Sequence, residues 1–401
     1  MCPEAIEAMR PFYDGAYANP SGAHRMARDA MRAVNDARDL LAELWGAEPG
    51  EIVFCSGATE ADNLAVFGVA GGAASSTVGG TSGGVAGGTS RDNTSNQILC
   101  SAIEHPAVLA PVERLGGRAV GVDSLGVLDL DELAEMSDEN TAFVSVMLVN
   151  NESGVIQPLA EVAEVLAECA PQAVLHTDAV QAMSWLDVAE LAGPAQLVSF
   201  SAHKFGGPKG VGALIVRDGV KLQPLVLGGG QERDRRGGTH NVAGIVAMAA
   251  AAAATAANRK ATVARVAKLR DRLADYLKAT VPDVVETGVT ETGVTETGAA
   301  VASTTDRSRK IAGSCHLCFG GVESEELLFL LEREGVFASA ASSCASGAFE
   351  PSHVLAAMGY NRNLAKGSLR LSLGSTTTEA DIDRACSVIP NAVAQLRRAA
   401  A

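Results

Sequence analysis

SFSAHKFGGPKG, residues 199–210, places Lys204 directly after a histidine, at the end of an apolar strand-like run and just before a glycine-proline turn. A lysine in a solvated turn is ordinary. A lysine where a buried strand stops is different, because open α/β sheets present their ligand-binding groups there. The neighbouring runs decide between the two. EIVFCS (51–56), QILCS (97–101), FVSVMLV (143–149), AVLHT (173–177), QLVSFS (196–201) and GVGALIV (210–216) each read as a buried strand, short and apolar. Helical patterns such as 158–168 fill several intervals. This alternation predicts an α/β fold with a mostly parallel sheet and a ligand site at the carboxyl ends of its strands.

Beyond the sheet, Val242 to Thr280 reads as one long helix, apolar at first and then studded with Lys, Arg and Asp. It predicts a connector into a second domain built from HLCFGG, ESEELLFLLERE, LRLSLG and a closing helix over 378–398. Two segments interrupt the order. Residues 71–96 are glycine, serine and threonine with almost no core-forming side chains, and predict a flexible surface insertion. Residues 286–298 repeat ETGVT-ETGVT-ETG, too short for a solenoid, and predict a loop or hairpin expansion.

The bulk composition narrows the function classes. The chain has 401 residues, 47% of them hydrophobic, enough for a large core. A formal net charge of −15 argues against a protein that grips nucleic-acid phosphates directly. The opening MCPEAIEAMRPFYDG lacks the pattern of a signal peptide, and the alanine-rich run 247–257 is too short to cross a bilayer, so no membrane attachment is expected. Eight scattered cysteines suit reduced thiols and a cytoplasmic location.

At the strand ends the candidate chemistry collects. After EIVFC, Ala58 and Thr59 fall at a helix start, where backbone N–H groups and the helix dipole can hold a phosphate, although any helix cap looks similar. After QILCS comes His105, and a lone histidine there is more often a cap or a core residue than a catalyst. After FVSVMLV come Asn150 and Asn151; after AVLHT come Asp178 and Gln181; after QLVSFS come Ser201, His203 and Lys204. Each has an ordinary explanation alone. Together they describe one ligand, with a phosphate, an aromatic ring for a histidine, a ring nitrogen for an aspartate and a carbonyl for a lysine to capture. That ligand is pyridoxal 5′-phosphate. No metal site is expected.

The ordered motifs SGATEADNLA, EHPAVL, VNNESGVIQPL, HTDAVQ, SFSAHKFGGPKGVGALIVR, GGGQERDRRGGTHNVAGIVAM, FGGVESEELL, SSCASGAFEPSHVLAAMG and LRLSLG run through nearly the whole chain. In them the sequence resembles the NifS/IscS family of cysteine desulfurases, pyridoxal-phosphate enzymes of the class V aminotransferase group and fold type I. The resemblance implies a large domain over 13–258 with a seven-stranded, mostly parallel sheet. It also implies a smaller α+β domain made of 1–12 and 259–401, with a catalytic-cysteine loop at 338–350. By the same resemblance, Ala58, Thr59, Ser201 and His203 would hold the cofactor phosphate, joined by Thr239 from the other subunit of a homodimer. His105 would stack on the ring and move protons, Asp178 would pair with the ring nitrogen, and Gln181 and Asn151 would contact the ring hydroxyl and the substrate side. Lys204 would carry the cofactor as a Schiff base and then act as a base, and Arg370 would clamp the substrate carboxylate. Ala341 stands where the family has a glycine, and GGTHN replaces the commoner serine or alanine version.

The sulfur chemistry turns on one thiol. Cys344 sits among small residues in ASAASSCASGAFEPSH, where bulky neighbours cannot bury it. The resemblance makes it the nucleophile that takes sulfur from L-cysteine as a persulfide, releasing L-alanine. The sulfur would pass to an acceptor protein, an iron–sulfur scaffold or a tRNA-thiolating enzyme. Cys315 and Cys318 form CHLC, which could be half of a redox or metal site, but no second ligand pair lies nearby and a structural role is preferred. Cys55 and Cys100 read as strand-packing residues. Two rival functions remain: a selenocysteine lyase or other β-eliminating lyase, and a non-enzymatic paralogue acting as a scaffold.

Overall fold

Seven short strands, β1 (Ile52–Cys55), β2 (Gln97–Ser101), β3 (Arg118–Val120), β4 (Thr141–Ser145), β5 (Val174–Asp178), β6 (Leu197–Ser201) and β7 (Gly212–Val216), form one sheet in the order β1-β7-β6-β5-β4-β2-β3. The structure, a computed structural model, describes residues 1–75, 97–292, 304–340 and 352–400. The pairings of β2 with β3 and β4, of β4 with β5 and of β5 with β6 are parallel; β7 alone runs against its neighbours β1 and β6. Every residue of β1, β6 and β7 is buried. Burial on both faces is what turns such strands into unbroken apolar runs, and it is why they could be located without periodicity.

Most of the sheet follows the expectation, with local corrections. Of the run 143–149 only residues 143–145 are strand, β4 starting earlier at Thr141, and β3 was not anticipated. The helix after β1 covers Ala58–Ser75, so residues 71–75 of the expected insertion are helical. The rest of that segment, the residues 293–298 of the tandem repeat, and Ala341 and Cys344 of the 338–350 loop lie outside the described residues.

The chain divides into two units. The first holds Met1–Val120, Leu130–Leu148 and Pro158–Ala257; the second holds Gly121–Asp129, Val149–Gln157 and Asn258–Ala401. Residues 1–12, assigned on sequence grounds with the smaller domain, group here with the sheet, and the Cys2 amide donates to the Gly206 carbonyl at 2.8 Å. The helix Val242–Thr280 has the bounds read from the sequence, with Ala247, Met248 and Ala251 fully buried in its apolar half.

In the first unit Cys55 and Ser201 both pair with Gly212, one from each side, so the ends of β1 and β6 lie level. Only glycine fits between them: a Cβ on residue 212 would fall 2.5 Å from the Phe200 carbonyl oxygen and 2.8 Å from the Gly57 backbone. This close approach brings the turn after β1 against the end of β6.

The second unit is built on a three-stranded antiparallel sheet. Its members are β8 (Val284–Glu286), β11 (Ser314–Phe319) and β12 (Ser368–Ser372), with β11 in the centre. A two-stranded ribbon pairs β9 (Thr290–Thr292) with β10 (Thr304–Asp306), so the ETG repeat begins inside an antiparallel ribbon. Helices Ser324–Arg333 and Glu379–Ala400 pack together beside this sheet.

Candidate active site

Within the first unit, the sequence-predicted positions gather at the carboxyl ends of β1, β2, β5 and β6. The turn after β1 leads into the helix at Ala58 and Thr59, whose first amides have no acceptor within the helix. A Cβ on Gly57 would lie 3.9 Å from Ser201 Oγ, which places the hydroxyl against this helix start. Ser201 Oγ in turn meets His203 Nδ1 at 2.9 Å. Burial, then the charges of Lys204 and Lys209, lower the His203 pKa. A helix N-terminus, a hydroxyl and an imidazole beside two lysines make an anion cradle.

Lys204 ends a single helical turn, Ala202–Lys204, and its side chain is exposed. Gly206 holds the following loop with φ of +88°, and a Cβ on Gly207 would fall 2.7 Å from that of Ala202. The glycines fold the chain sharply back, and the loop is pinned by Ser184 Oγ to the Lys204 carbonyl at 3.3 Å and by Thr255 Oγ1 to the Phe205 carbonyl at 3.0 Å.

Asp178 ends β5 beside Ser199 of β6, and is 5% exposed. One oxygen accepts the Val180 N–H at 2.9 Å. Burial pushes its pKa up to about 6, while the Val180 amide and the charge of Lys204 pull the other way. Gln181 follows in the next turn, half-buried. His105 is the cap of helix Pro106–Arg114: its Nδ1 accepts the Ala107 N–H at 3.1 Å. The structure shows the cap that a histidine at this position allows, with Nδ1 as the acceptor. Asn63 ties this helix to the helix Ala58–Ser75, donating to the Thr59 and Ala107 carbonyls at 2.9 and 3.1 Å. Thr239 is exposed and shares a small cleft with Ser56, Gly210 and Arg236.

Asn151 and Arg370 belong to the second unit, where they meet: Arg370 Nη1 donates to the Asn151 carbonyl at 2.9 Å. Arg370 is fixed on β12, and its backbone bridges that of Ser339. The neighbouring Asn150 is a turn builder, its Oδ1 accepting the Glu152 and Ser153 amides at 3.0 and 2.9 Å. Beside Arg370 lies Glu152, buried and hydrogen-bonded by Ser352, with a pKa that burial raises to about 7 against the pull of Ser352 and Arg370.

The donor set fits pyridoxal phosphate. The anion cradle suits its phosphate, buried Asp178 suits a protonated ring nitrogen, and Lys204 supplies the amine. Comparison with known proteins points the same way. The family model described as Aminotransferase class-V matches residues 1–78 and 84–385. The chain belongs to the class-V aminotransferase family. It is 39% identical over 408 residues to an IscS-like cysteine desulfurase of Mycobacterium tuberculosis, covering all of this chain and 95% of that one. It is 36% identical over 400 residues to the cysteine desulfurase IscS of Clostridium botulinum, covering 98% and 92%. A NifS-like protein of known structure superposes with a TM-score of 0.82 at 31% identity, covering 98% and 96%. The resemblance to NifS/IscS-type members read from the motifs therefore holds, and the seven-stranded sheet is the one that this class-V family implies.

Sequence reasoning missed the buried acids that flank these groups. Asp62, Glu104 and Glu232 are at most 8% exposed. The available signal was the acid pattern in TEADN and IEHP, where carboxyls stand among small or apolar neighbours. Such a position demands either a cation or a proton.

Proposed function

We propose that this protein is a cysteine desulfurase that holds pyridoxal 5′-phosphate and converts L-cysteine to L-alanine while passing the sulfur to Cys344. The observation that carries the reading is the convergence of buried Asp178, the helix-capping His105, the Lys204 turn and the Ala58–Thr59 helix start at the carboxyl end of the first unit's sheet. The relatives at 36 to 39% identity named as cysteine desulfurases support the same activity.

When bound, the cofactor supplies an electron sink for the substrate carbon skeleton. The chain's residues do the rest. Ala58, Thr59, Ser201 and His203 bind the phosphate, with Thr239 offered to a second copy of the chain in a homodimer. Asp178 keeps a proton on the ring nitrogen by presenting a negative charge to it. His105, its Nδ1 engaged by the Ala107 amide, would offer Nε2 to the ring and the reacting protons. Lys204 is the amine that anchors the cofactor and, once displaced, a base. Gln181 and Asn151 orient the ring hydroxyl and substrate, and Arg370 binds the substrate carboxylate. Cys344 thiolate attacks the substrate sulfur: the S–S bond forms as the Cβ–S bond breaks, and the carbon skeleton keeps the electron pair, gains a proton and leaves as alanine. The persulfide then goes to an acceptor, an iron–sulfur scaffold or a tRNA-thiolating enzyme, in the reducing cytoplasm that suits the seven described cysteines, all free.

Cys344→Ala in the holoenzyme tests the sulfur step. Alanine production from L-cysteine is expected to stop while the Lys204-dependent visible absorbance stays. Persisting desulfuration would remove Cys344 from the mechanism, and unimpaired turnover of selenocysteine alone would favour a selenocysteine lyase.

A further inference from the structure

Behind Asp178 lies a second carboxyl that the proposed chemistry does not use. Asp62 sits one turn into the helix Ala58–Ser75, which packs on β4 through β7, and it is 1% exposed. Neither of its oxygens has a hydrogen-bond partner. The nearest ring atom is His176 Nε2, 3.6 Å from Oδ1. His176 stands two residues before Asp178 on β5, so the two side chains leave the same face of the sheet.

His176 cannot serve as a counter-ion for Asp62. Its ring is held at both ends, Nδ1 with Ser145 Oγ at 2.8 Å on β4 and Nε2 with Ser199 Oγ at 3.0 Å on β6, and it stacks on Phe143. Burial lowers its pKa to about 3, so the imidazole is neutral at pH 7. The other titratable groups around Asp62 are acids: Asp178 on β5, Glu104 in the turn after β2, and the Cys55 thiol on β1. Burial first, and the charge of Asp178 second, push the Asp62 pKa well up; Glu104 is raised by the same two causes. The Ser199 hydroxyl, shared with His176, pulls the Asp62 pKa down, but burial and the Asp178 charge outweigh it.

Buried carboxyls near enough for the charge of one to raise the pKa of the other do not both ionise, so one keeps a proton. Geometry decides which. Asp178 has the Val180 amide on one oxygen and feels the positive charge of Lys204, whereas Asp62 has only the nearby Ser199 hydroxyl to ease its burial and, among the described residues, no hydrogen bond to either oxygen. We propose that Asp62 is a positioning residue that acts as a neutral carboxylic acid, holding a proton behind Asp178 so that the negative charge of the cluster is concentrated where the cofactor ring nitrogen binds. This rests on the pyridoxal-phosphate reading above. A charged residue at 62 would put a second negative charge behind the ring, and an apolar one would remove the dipole that supports Asp178.

Infrared difference spectra of wild type against Asp62→Asn, recorded in light and heavy water, test the proton directly. The expected result is a carbonyl band of a protonated acid that shifts with deuteration and vanishes in the variant. The pH profile of the Lys204-dependent chromophore supplies the second readout. Asp62→Asn, shaped like the neutral acid, is expected to match wild type to within about 0.3 pH unit, and Asp62→Leu to move the profile by about 1 unit, a 10-fold change in the proton equilibrium. Loss of a carboxylate band in Asp62→Asn, or a profile moved by a unit in that variant, would overturn the proposal by showing an ionised Asp62. A Leu variant identical to wild type would overturn it by showing no action on Asp178. Should the Leu variant not fold, the infrared band and the Asn profile decide. The infrared band is also measurable without cofactor, so failure to form any chromophore defeats the cofactor reading and leaves this test standing.

Discussion

Two clusters of buried acid lie in the first unit, and they solve the same problem in opposite ways. Glu232, 8% exposed, receives Arg38 through both guanidinium nitrogens at 2.6 and 3.0 Å, the Phe54 amide at 2.9 Å and His240 at 2.7 Å. Burial alone would raise its pKa, but the hydrogen bonds of His240 and Arg38 and the charge of Arg38 win and bring it to about 2. The cluster of Asp62, Glu104 and Asp178 is pushed the other way. A carboxylate that serves the fold carries its cation within the chain. A carboxylate that serves a ligand is left with an electrostatic deficit that the ligand's positive charge fills.

The largest effect expected from this contrast is on turnover. Asp178→Asn keeps the shape of the side chain and removes the charge that, in the proposed site, would face the ring nitrogen. L-cysteine turnover is expected to fall about 10³-fold with cofactor still bound, measured as alanine formed per Lys204-dependent chromophore. A loss below tenfold would place Asp178 with the structural acids.

Glu232→Gln attacks the other side of the comparison. It leaves Arg38, 7% exposed, without its counter-charge and is expected to cost about 3 to 5 kcal/mol in denaturant unfolding. The burial of Glu232 also secures a backbone that otherwise resists its shape, since Glu232, Arg233 and Asp234 all have positive φ, at 49°, 57° and 61°. The pH dependence has a definite sign. Lowering the folded pKa to about 2 from an ordinary 4.5 stabilises the fold by about 3 kcal/mol above pH 4.5. This contribution is lost as the pH falls from about 4.5 toward 2, so the wild type should lose stability over that window and Glu232→Gln should lose far less.

A smaller effect of opposite sign is expected from Asp178→Asn in cofactor-free protein. A folded pKa raised to about 6 from 3.8 means that ionisation destabilises the fold, by an amount that grows between those pH values and levels off above 6. Removing the charge is therefore expected to stabilise the apo protein at pH 8 by about 1 to 3 kcal/mol, read as a raised melting temperature. The same substitution would then weaken function and strengthen the fold, which is the signature of a residue kept for a ligand.

The sequence shows Asp178 and its neighbours at the strand ends, but neither the Glu232 cluster nor the acids Asp62 and Glu104 beside Asp178. Lys204, Asp178, His105 and the Ala58–Thr59 helix start stand next to strands that are buried on both faces, so their positions follow from unbroken apolar runs. β3 escaped notice because it is three residues long with two of them exposed. The run 143–149 reaches past the strand because Val146 to Val149 are as buried as the strand before them, and Val146 and Leu148 still donate to the His176 and Asp178 carbonyls of β5 at 3.0 Å although the paired register stops at Ser145. Arg38 and Glu232 are 194 residues apart, and no local pattern links them. Pairing of that kind exists only once the chain has folded, whereas a strand end announces itself.

The CHLC motif gives the smallest expected effect and extends the comparison from carboxyls to thiols. Cys315 and Cys318 lie on β11, the central strand of the second unit's sheet, and both are fully buried. Three residues apart on a strand, their side chains leave opposite faces, so they cannot grip one ion or form a disulfide with each other. Burial first, joined by the negative charge of Glu286 for Cys315 and of Glu152 for Cys318, raises each thiol to about 12. Near pH 8 almost none is thiolate, and thiolate is the reactive form. Native protein treated with an alkylating reagent is therefore expected to keep both residues unmodified while Cys344 reacts, as peptide mass analysis would show. Cys315→Ala should cost about 1 to 2 kcal/mol of stability and leave turnover within about twofold. Rapid labelling of either thiol, or a loss of turnover on replacing Cys318 with alanine, would return CHLC to the sulfur chemistry.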